Sequence, residues 1–301
     1  MFSAPAVIVR EEVVVAISDV HHPFHDERKI GELKQILRHE KPTRLLILGD
    51  LHDMQIASRY VENALGKASN TLHRAALSSL SKRVADKLSG RDFRRASHEK
   101  VIGAVSEILQ EESGIDLPTE LRRGVALAED IARSCGHKCK LEFIPGNHER
   151  RSHDRLNAIR HIVGPTYDPL YEAWQAAKLK WKVHGIFPHA EVVIDKMVFR
   201  HHGRGTGQHH AAACWRATHT RGISVVYGDT HKTLIYHGYC SSNPRERDQR
   251  FAYGLGTFAD IWNDDGFGYA TKDARSQWDC SFGIFKTKRS GRIDATPIFI
   301  A

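Results

Sequence analysis

The sequence predicts an α/β fold in one domain over residues 1–301, with a helical insertion at about 56–134. Three observations predict it. An apolar run, a helical pattern and a second apolar run follow one another in the first fifty residues, which is the order of a βαβ unit. Residues 56–134 then carry Ala, Leu, Arg and Glu at helical spacing. Apolar runs of strand length return after residue 140, and several of them stop in a Gly-containing polar cluster.

Taken in order, EVVVAIS (12–18) is a β-branched run ending at Asp19, and DERKIGELKQILRHE has a helical period. Pro42 breaks the chain before TRLLIL, a buried strand that stops in Gly49 and Asp50. The span 56–134 is punctuated only by Gly66, Gly90, Gly114 and Pro118 and shows no repeat or linker composition, so it is expected to pack on the sheet domain. Strand signals resume at KLEFIPGNHE (140–149), VVIDKMVFRHHG (192–203), SVVYGDTH (224–231) and TLIYHGYC (233–240). YEAWQAAKLKWK reads as a helix that packs Trp174 and Trp181 on the core rather than stacking them on a base.

With 41% hydrophobic residues in 301, the chain can bury a sizeable core. No stretch reaches the roughly 18 apolar residues of a membrane span, and the first residues lack a signal-peptide pattern, so a cytoplasmic protein with no membrane partner is expected. Five cysteines make no disulfide framework, and Cys135 and Cys139 in CGHKC read as free thiols because no second Cys or His pair lies at zinc-site spacing. A formal charge of +8 favours an anionic partner such as nucleic acid, although scattered helix-face Lys and Arg account for part of it. Oligomeric state is not legible.

The 20 histidines matter through their positions. Carboxylates and imidazoles are costly to bury unless compensated. Yet Asp, Asn and His, donors suited to divalent metals, gather where the apolar runs end. In open α/β sheets the ligand site lies beyond the carboxyl ends of the strands, so these clusters are expected to converge. Each alone is an ordinary turn or cap; together they point to a metal site.

Asp19-x-His21, Gly49-Asp50-x-x-Asp53, Gly146-Asn147-His148-Glu149, His202-Gly203 and Gly228-x-x-His231 resemble, in order, the five motifs of calcineurin-like metallophosphoesterases. The match runs from Asp19 to His231. The resemblance implies a four-layer α/β/β/α sandwich and two divalent ions, Mn2+ first, with Mg2+, Zn2+ or Fe as alternatives. By the same resemblance Asp19, His21 and His231 hold the first ion, Asn147 and His202 the second, and Asp50 bridges them. The resemblance also implies that His148 protonates the leaving oxygen or stabilises the phosphate, held by Asp53, which fixes its tautomer and raises its pKa. His52 receives no role.

One departure matters: the family's last motif is usually Gly-His-x-His, and here it reads Gly228-Asp229-Thr230-His231. Either Asp229 serves as an oxygen ligand, favouring harder ions, or His201, His209 or His210 takes its place, or the second ion binds weakly. Arg150 and Arg151, after GNHE, are candidate phosphate clamps, with solvated arginines the plainer reading. GRGTG (203–207) lacks the Lys-Ser/Thr of a phosphate loop and reads as a turn.

The function expected is a two-metal phosphoester hydrolase acting on phosphodiesters of nucleic acid or nucleotides. The PGNHERR segment and the WDCSFG stretch resemble phosphoesterases of bacteriophages and bacteria, some related to DNA-repair nucleases, and GDLHDMQ departs from the GDxVDRG of protein phosphatases. Two alternatives are a phosphomonoesterase and a non-catalytic protein that binds nucleic acid or a partner over a partly degraded metal site.

Overall fold

The computed structural model describes residues 11–54, 117–151, 169–185, 187–202, 211–212, 214, 222–239, 249–263, 267, 270–288 and 293–301. In chain order the elements are β1 (Glu12–Ile17), α1 (Glu27–Glu40), β2 (Arg44–Leu48), α2 (Leu117–Ala132), β3 (Lys140–Ile144), α3 (Pro169–Gln175) and β4 (Trp181–Val183). There follow β5 (Glu191–Ile194), β6 (Met197–Arg200), β7 (Ser224–Tyr227), β8 (Leu234–Tyr239), β9 (Gln249–Gly254), α4 (Lys272–Arg275), β10 (Ser281–Thr287) and β11 (Ile293–Phe299). Of the expected insertion, residues 56–116 lie outside the described residues, as do Gly203, GRGTG, His209 and His210.

Local chemistry sets the first unit. Asp26 caps α1 by accepting from the amides of Arg28 and Lys29. The helix stops at Lys41, left-handed at φ 47, whose N–H donates to the Leu37 carbonyl, and Pro42 follows. Between these ends Ile30, Leu33 and Leu37 form the buried stripe. The β1–α1–β2 crossover then lays Val14–Ile17 parallel to Arg44–Ile47.

Two sheets result, in the orders β11-β10-β1-β2-β3-β4 and β5-β6-β7-β9-β8. Strand alternation divides the core between them. Val15, Ile17, Leu45, Ile47 and Phe143 face α1, α2 and α3, burying Leu33, Leu37, Val125, Ile131 and Trp174. Val14, Ala16, Leu46, Leu48 and Ile144 face the opposite way, against Val192, Met197, Phe199, Val226 and Tyr253 of the second sheet. That sheet's outer side, Val198, Val225, Tyr227 and Ala252, is covered by the helical Ala211 and Cys214. The four layers α/β/β/α expected from the sequence are therefore present.

Several elements differ from the sequence reading. VVIDKMVFR is a hairpin, not one strand: Ile194 pairs with Met197, and Asp195 at φ 52 makes the turn. The helix through Trp174 ends at Gln175, and Trp181 begins a strand. Both indoles are core, Trp174 stacked on Phe143 at 4.7 Å and edge-on to Trp181 at 5.0 Å. The sequence reading placed no strand beyond residue 240, whereas β10 pairs antiparallel with β1 along Glu12–Ala16. Cys135 and Cys139 are free thiols, as read. No helix among the described residues is long and apolar enough to cross a membrane.

Phe285, fully buried, packs edge-on to Phe199 at 5.5 Å and to Tyr253 at 5.5 Å, joining the sheets. Phe285→Ala is expected to cost about 3–5 kcal/mol of unfolding free energy by denaturant titration, the range for truncating a buried phenylalanine. A loss below about 1 kcal/mol would show that the sheets are not joined there.

Candidate metal centre

The carboxyl ends of β1, β2 and β3 in one sheet, and of β6 and β7 in the other, meet at one rim of the sandwich. Beyond each end the chain turns sharply. Asp19, His21, Asp50, Met54, Asp229 and His231 all have positive φ, between 48 and 71. Left-handed backbone is unfavourable for residues with a Cβ and clusters at functional sites. The glycines permit the close approach. A Cβ at Gly146 would stand 2.6 Å from the Asp50 amide, and one at Gly228 would stand 2.7 Å from Asp19 Oδ2. Backbone bonds stitch the turns together: His21 N–H donates to the Asp50 carbonyl at 2.8 Å and Gly228 N–H to the His201 carbonyl at 2.8 Å.

Acceptor atoms converge in three overlapping groups: Asp19, His21 and His231; His21, Asp50 and His148; Asp19, Asp50 and His201. His231 Nε2 lies 3.3 Å from Asp19 Oδ1 and 3.0 Å from His21 Nε2. His201 Nε2 lies 3.4 Å and His148 Nε2 3.7 Å from Asp50 Oδ2. Asp19, His21, Asp50 and His201 are at most 2% exposed.

Hydrogen-bond partners fix which ring nitrogens face inward. His21 Nδ1 is 2.9 Å from Asp53 Oδ1, and a carboxylate only accepts, so Nδ1 carries a proton and Nε2 is the nitrogen that faces His231 and Asp19. His201 Nδ1 donates to the Leu48 carbonyl at 2.6 Å, which likewise frees Nε2. His148 Nδ1 is 2.6 Å from the Asp53 carbonyl and 3.1 Å from Arg151 Nη1. Two donors cannot bond each other, so His148 and Arg151 both donate to that carbonyl, Arg151 at 3.3 Å.

The Asn147 side chain completes the argument for a cation. Its amide sits 2.7 Å from His201 Nε2, 3.3 Å from Asp50 Oδ2 and 3.2 Å from Asp229 Oδ1. With nitrogen inward it donates to them; with oxygen inward it joins three other acceptors around one point. Carboxylate, amide oxygen and imidazole nitrogen converging in a buried space could hold divalent metal.

Without metal, protons do the compensating. Burial opposes ionisation of Asp50, but the imidazoles of His148, His201 and His21 outweigh it and hold its carboxyl well below the usual range. Asp19 is lowered in the same way against its burial, by His231 and His201. Burial disfavours the imidazolium of His201, yet Asp50, Asp19 and Asp229 raise it well above its usual value; His21 is raised against burial chiefly by Asp53. Burial pushes Asp229 up and His148 down.

Of the expected site residues, Asp19, His21, Asp50, Asn147, His148, Asp229 and His231 are gathered here, with Asp53 behind His21 and Arg151 behind His148. Arg150 is half-buried, its amide bonded to the Gly146 carbonyl at 3.2 Å. His202 is not in the cluster: it is half-exposed, 3.1 Å from Asp229 Oδ2, and its neighbour His201 points inward. Asp53 differs in detail, since its carboxylate serves His21 and stands 3.5 Å from His148, which is held by the main chain. The expected rise in the pKa of His148 is replaced by a lowering, because burial dominates there.

Two residues without an expected role hold the turns. Glu149 accepts from the amides of Asp50 (2.9 Å), His52 (2.9 Å) and Gly146 (2.7 Å). His52 contacts Glu149 at 3.3 Å and the Leu121 carbonyl at 3.2 Å, bolting α2 to the β2 turn. Glu149 adjoins His148 in the motif, but nothing in its spacing announces a three-amide acceptor.

The pKa directions predict how metal-free protein responds to pH. Raised imidazoles contribute stability that is present below their ordinary 6.5 and lost as pH rises through their raised values. Lowered carboxylates contribute stability present above their ordinary 3.8 and lost in acid. Thermal melts with chelator should therefore be highest between these values and fall toward pH 9. Mn2+ should raise the melting temperature more at pH 8 than at pH 6, because binding displaces protons. An equal Mn2+ effect at both would contradict the assignment.

The structure is similar to that of a single mutant of Vps29 from Entamoeba histolytica, with TM-score 0.36 and 10% identity over 96% of this chain and 99% of the other. It is similar also to Vacuolar Protein Sorting 29 from Cryptosporidium parvum, with TM-score 0.38 and 11% identity over 97% and 98%. No protein-family model and no curated protein matches the sequence.

Proposed function

We propose that the chain hydrolyses phosphoesters with two divalent ions, and that its substrates are phosphodiesters of nucleic acid or nucleotides. The observation that carries this reading is Asp50, whose carboxylate belongs at once to the group with His21 and His148 and to the group with Asp19 and His201. A carboxylate so shared suits a bridge between two cations. Asp19, His21 and His231 would hold the first ion; Asn147, His201 and Asp229 the second. His202, outside the cluster, would not. Three carboxylates in the set favour Mn2+ or Mg2+. When bound, the two ions lower the pKa of a water toward neutrality and neutralise phosphoryl oxygens.

The remaining chemistry belongs to the chain. His148, with Nδ1–H held by the Asp53 carbonyl, presents Nε2 to the site. Protonated there, it gives that proton to the leaving oxygen as the P–O bond breaks and water's oxygen bonds phosphorus. Asp53 holds His21 in the tautomer whose Nε2 is a ligand. Arg151, anchored beside His148, would pair its guanidinium with a phosphoryl oxygen. The formal charge of +8 supports a polyanionic substrate over a small monoester.

Hydrolysis of bis(p-nitrophenyl) phosphate and p-nitrophenyl phosphate by Mn2+-loaded protein tests the proposal, with faster turnover of the diester expected. Faster turnover of the monoester would replace the substrate class, and no turnover of either with metal bound would assign the chain a binding role. Asp50→Asn should abolish activity and metal retention together. His148→Asn should keep metal while kcat falls roughly 10²- to 10⁴-fold; an unchanged kcat on a poor leaving group would remove His148 from its role.

A further inference from the structure

We propose that Glu120, on the first turn of α2, is a positioning residue for His148 and acts through the peptide group joining Asp53 to Met54. This rests on the general-acid role of His148 given above only for its effect on turnover.

One planar peptide unit carries both contacts. Its N–H, on Met54, donates to Glu120 Oε1 at 2.8 Å. Its carbonyl, on Asp53, accepts from His148 Nδ1 at 2.6 Å. Because a peptide is rigid, fixing its N–H fixes the direction of its C=O. A carboxylate at the N–H also polarises the unit, making the carbonyl a stronger acceptor. The unit benefits from an anchor, since Met54 is left-handed at φ 52, a conformation that persists only where neighbours hold it.

Glu120 is 4% exposed, and among the described residues its Oε2 has no hydrogen-bond partner. Burial pushes its pKa up to about 7, against His52 and the Met54 amide and with help from Asp53 and Glu149. A buried acid with one orphan oxygen weakens the native state as pH rises from its ordinary 4.5 through 7. The compensating gain is the anchored peptide. His52, bonded to the Leu121 carbonyl at 3.2 Å, fastens the same turn of α2 to the β2 loop, so the anchor is itself held. The described end of the expected insertion thereby reaches the candidate site without contributing a ligand.

Glu120→Gln keeps the shape and the acceptor but removes the charge; Glu120→Leu removes both. NMR on the full chain with Mg2+ should show the Met54 amide proton and the His148 Nδ1 proton both moving upfield in Glu120→Gln. Turnover of bis(p-nitrophenyl) phosphate with Mn2+ should fall threefold or more in kcat, with KM and metal content unchanged, and tenfold or more in Glu120→Leu. The Gln variant should nevertheless melt higher than wild type at pH 8 and not at pH 5, so lost activity cannot be ascribed to damage. A Met54 shift with His148 unmoved would overturn the proposal, as would a Glu120→Leu protein with wild-type kcat. If Glu120→Leu does not fold, the Gln variant decides alone. If wild type hydrolyses no phosphoester, the NMR response still decides the role of Glu120, and only the proposed function fails.

Discussion

Two carboxylates, Asp19 and Asp50, are shut from water where two sheets meet, and the rest of the rim is arranged to compensate them. An unpaired buried carboxylate is so costly that it protonates or finds a partner. Here the partners are imidazoles aimed from opposite sheets. His21 and His148 come from the β1 and β3 ends, and His201 and His231 from the β6 and β7 ends. In metal-free protein the balance is struck with protons; the same nitrogens, once deprotonated, could hold a metal ion. Proton and cation would then be alternatives at one place.

That arrangement requires strained turns. Asp19, His21, Asp50, Asp229 and His231 adopt left-handed backbone, which isolated residues avoid, and they persist because neighbouring turns hold them. Glu149 gathers three amides from two turns, and the Asp229 amide donates to Asp19 Oδ2 at 2.9 Å across the junction. The core between the sheets sets their separation, and therefore the distance between ligands from the two halves.

Much of this was legible in the sequence where one residue type has one local meaning. β1, β2 and β3 read clearly as β-branched or Leu/Ile runs stopped by Gly, Asp or Asn, and α1 through its helical period. The hairpin at Asp195–Lys196 was hidden because its turn carries neither Gly nor Pro. β4 is only three residues, and β9–β11 interleave polar residues with apolar ones, so pairing rather than pattern makes them strands. His201 was available from parity: Met197 and Phe199 face the space between the sheets, which places 201 inward and 202 outward. Choosing His202 followed the motif instead of the strand. The exchange at Asp53, where the side chain serves His21 and the main chain serves His148, has no sequence signal because it depends on the direction of a turn.

In the proposed centre, two ions share Asp50. Electron paramagnetic resonance of the full chain loaded with increasing Mn2+ tests it most directly. Two ions bridged by one carboxylate should give a spin-coupled signal that grows as the second equivalent is added. A spectrum that stays that of isolated Mn2+, with saturation at one ion per chain, would contradict the account.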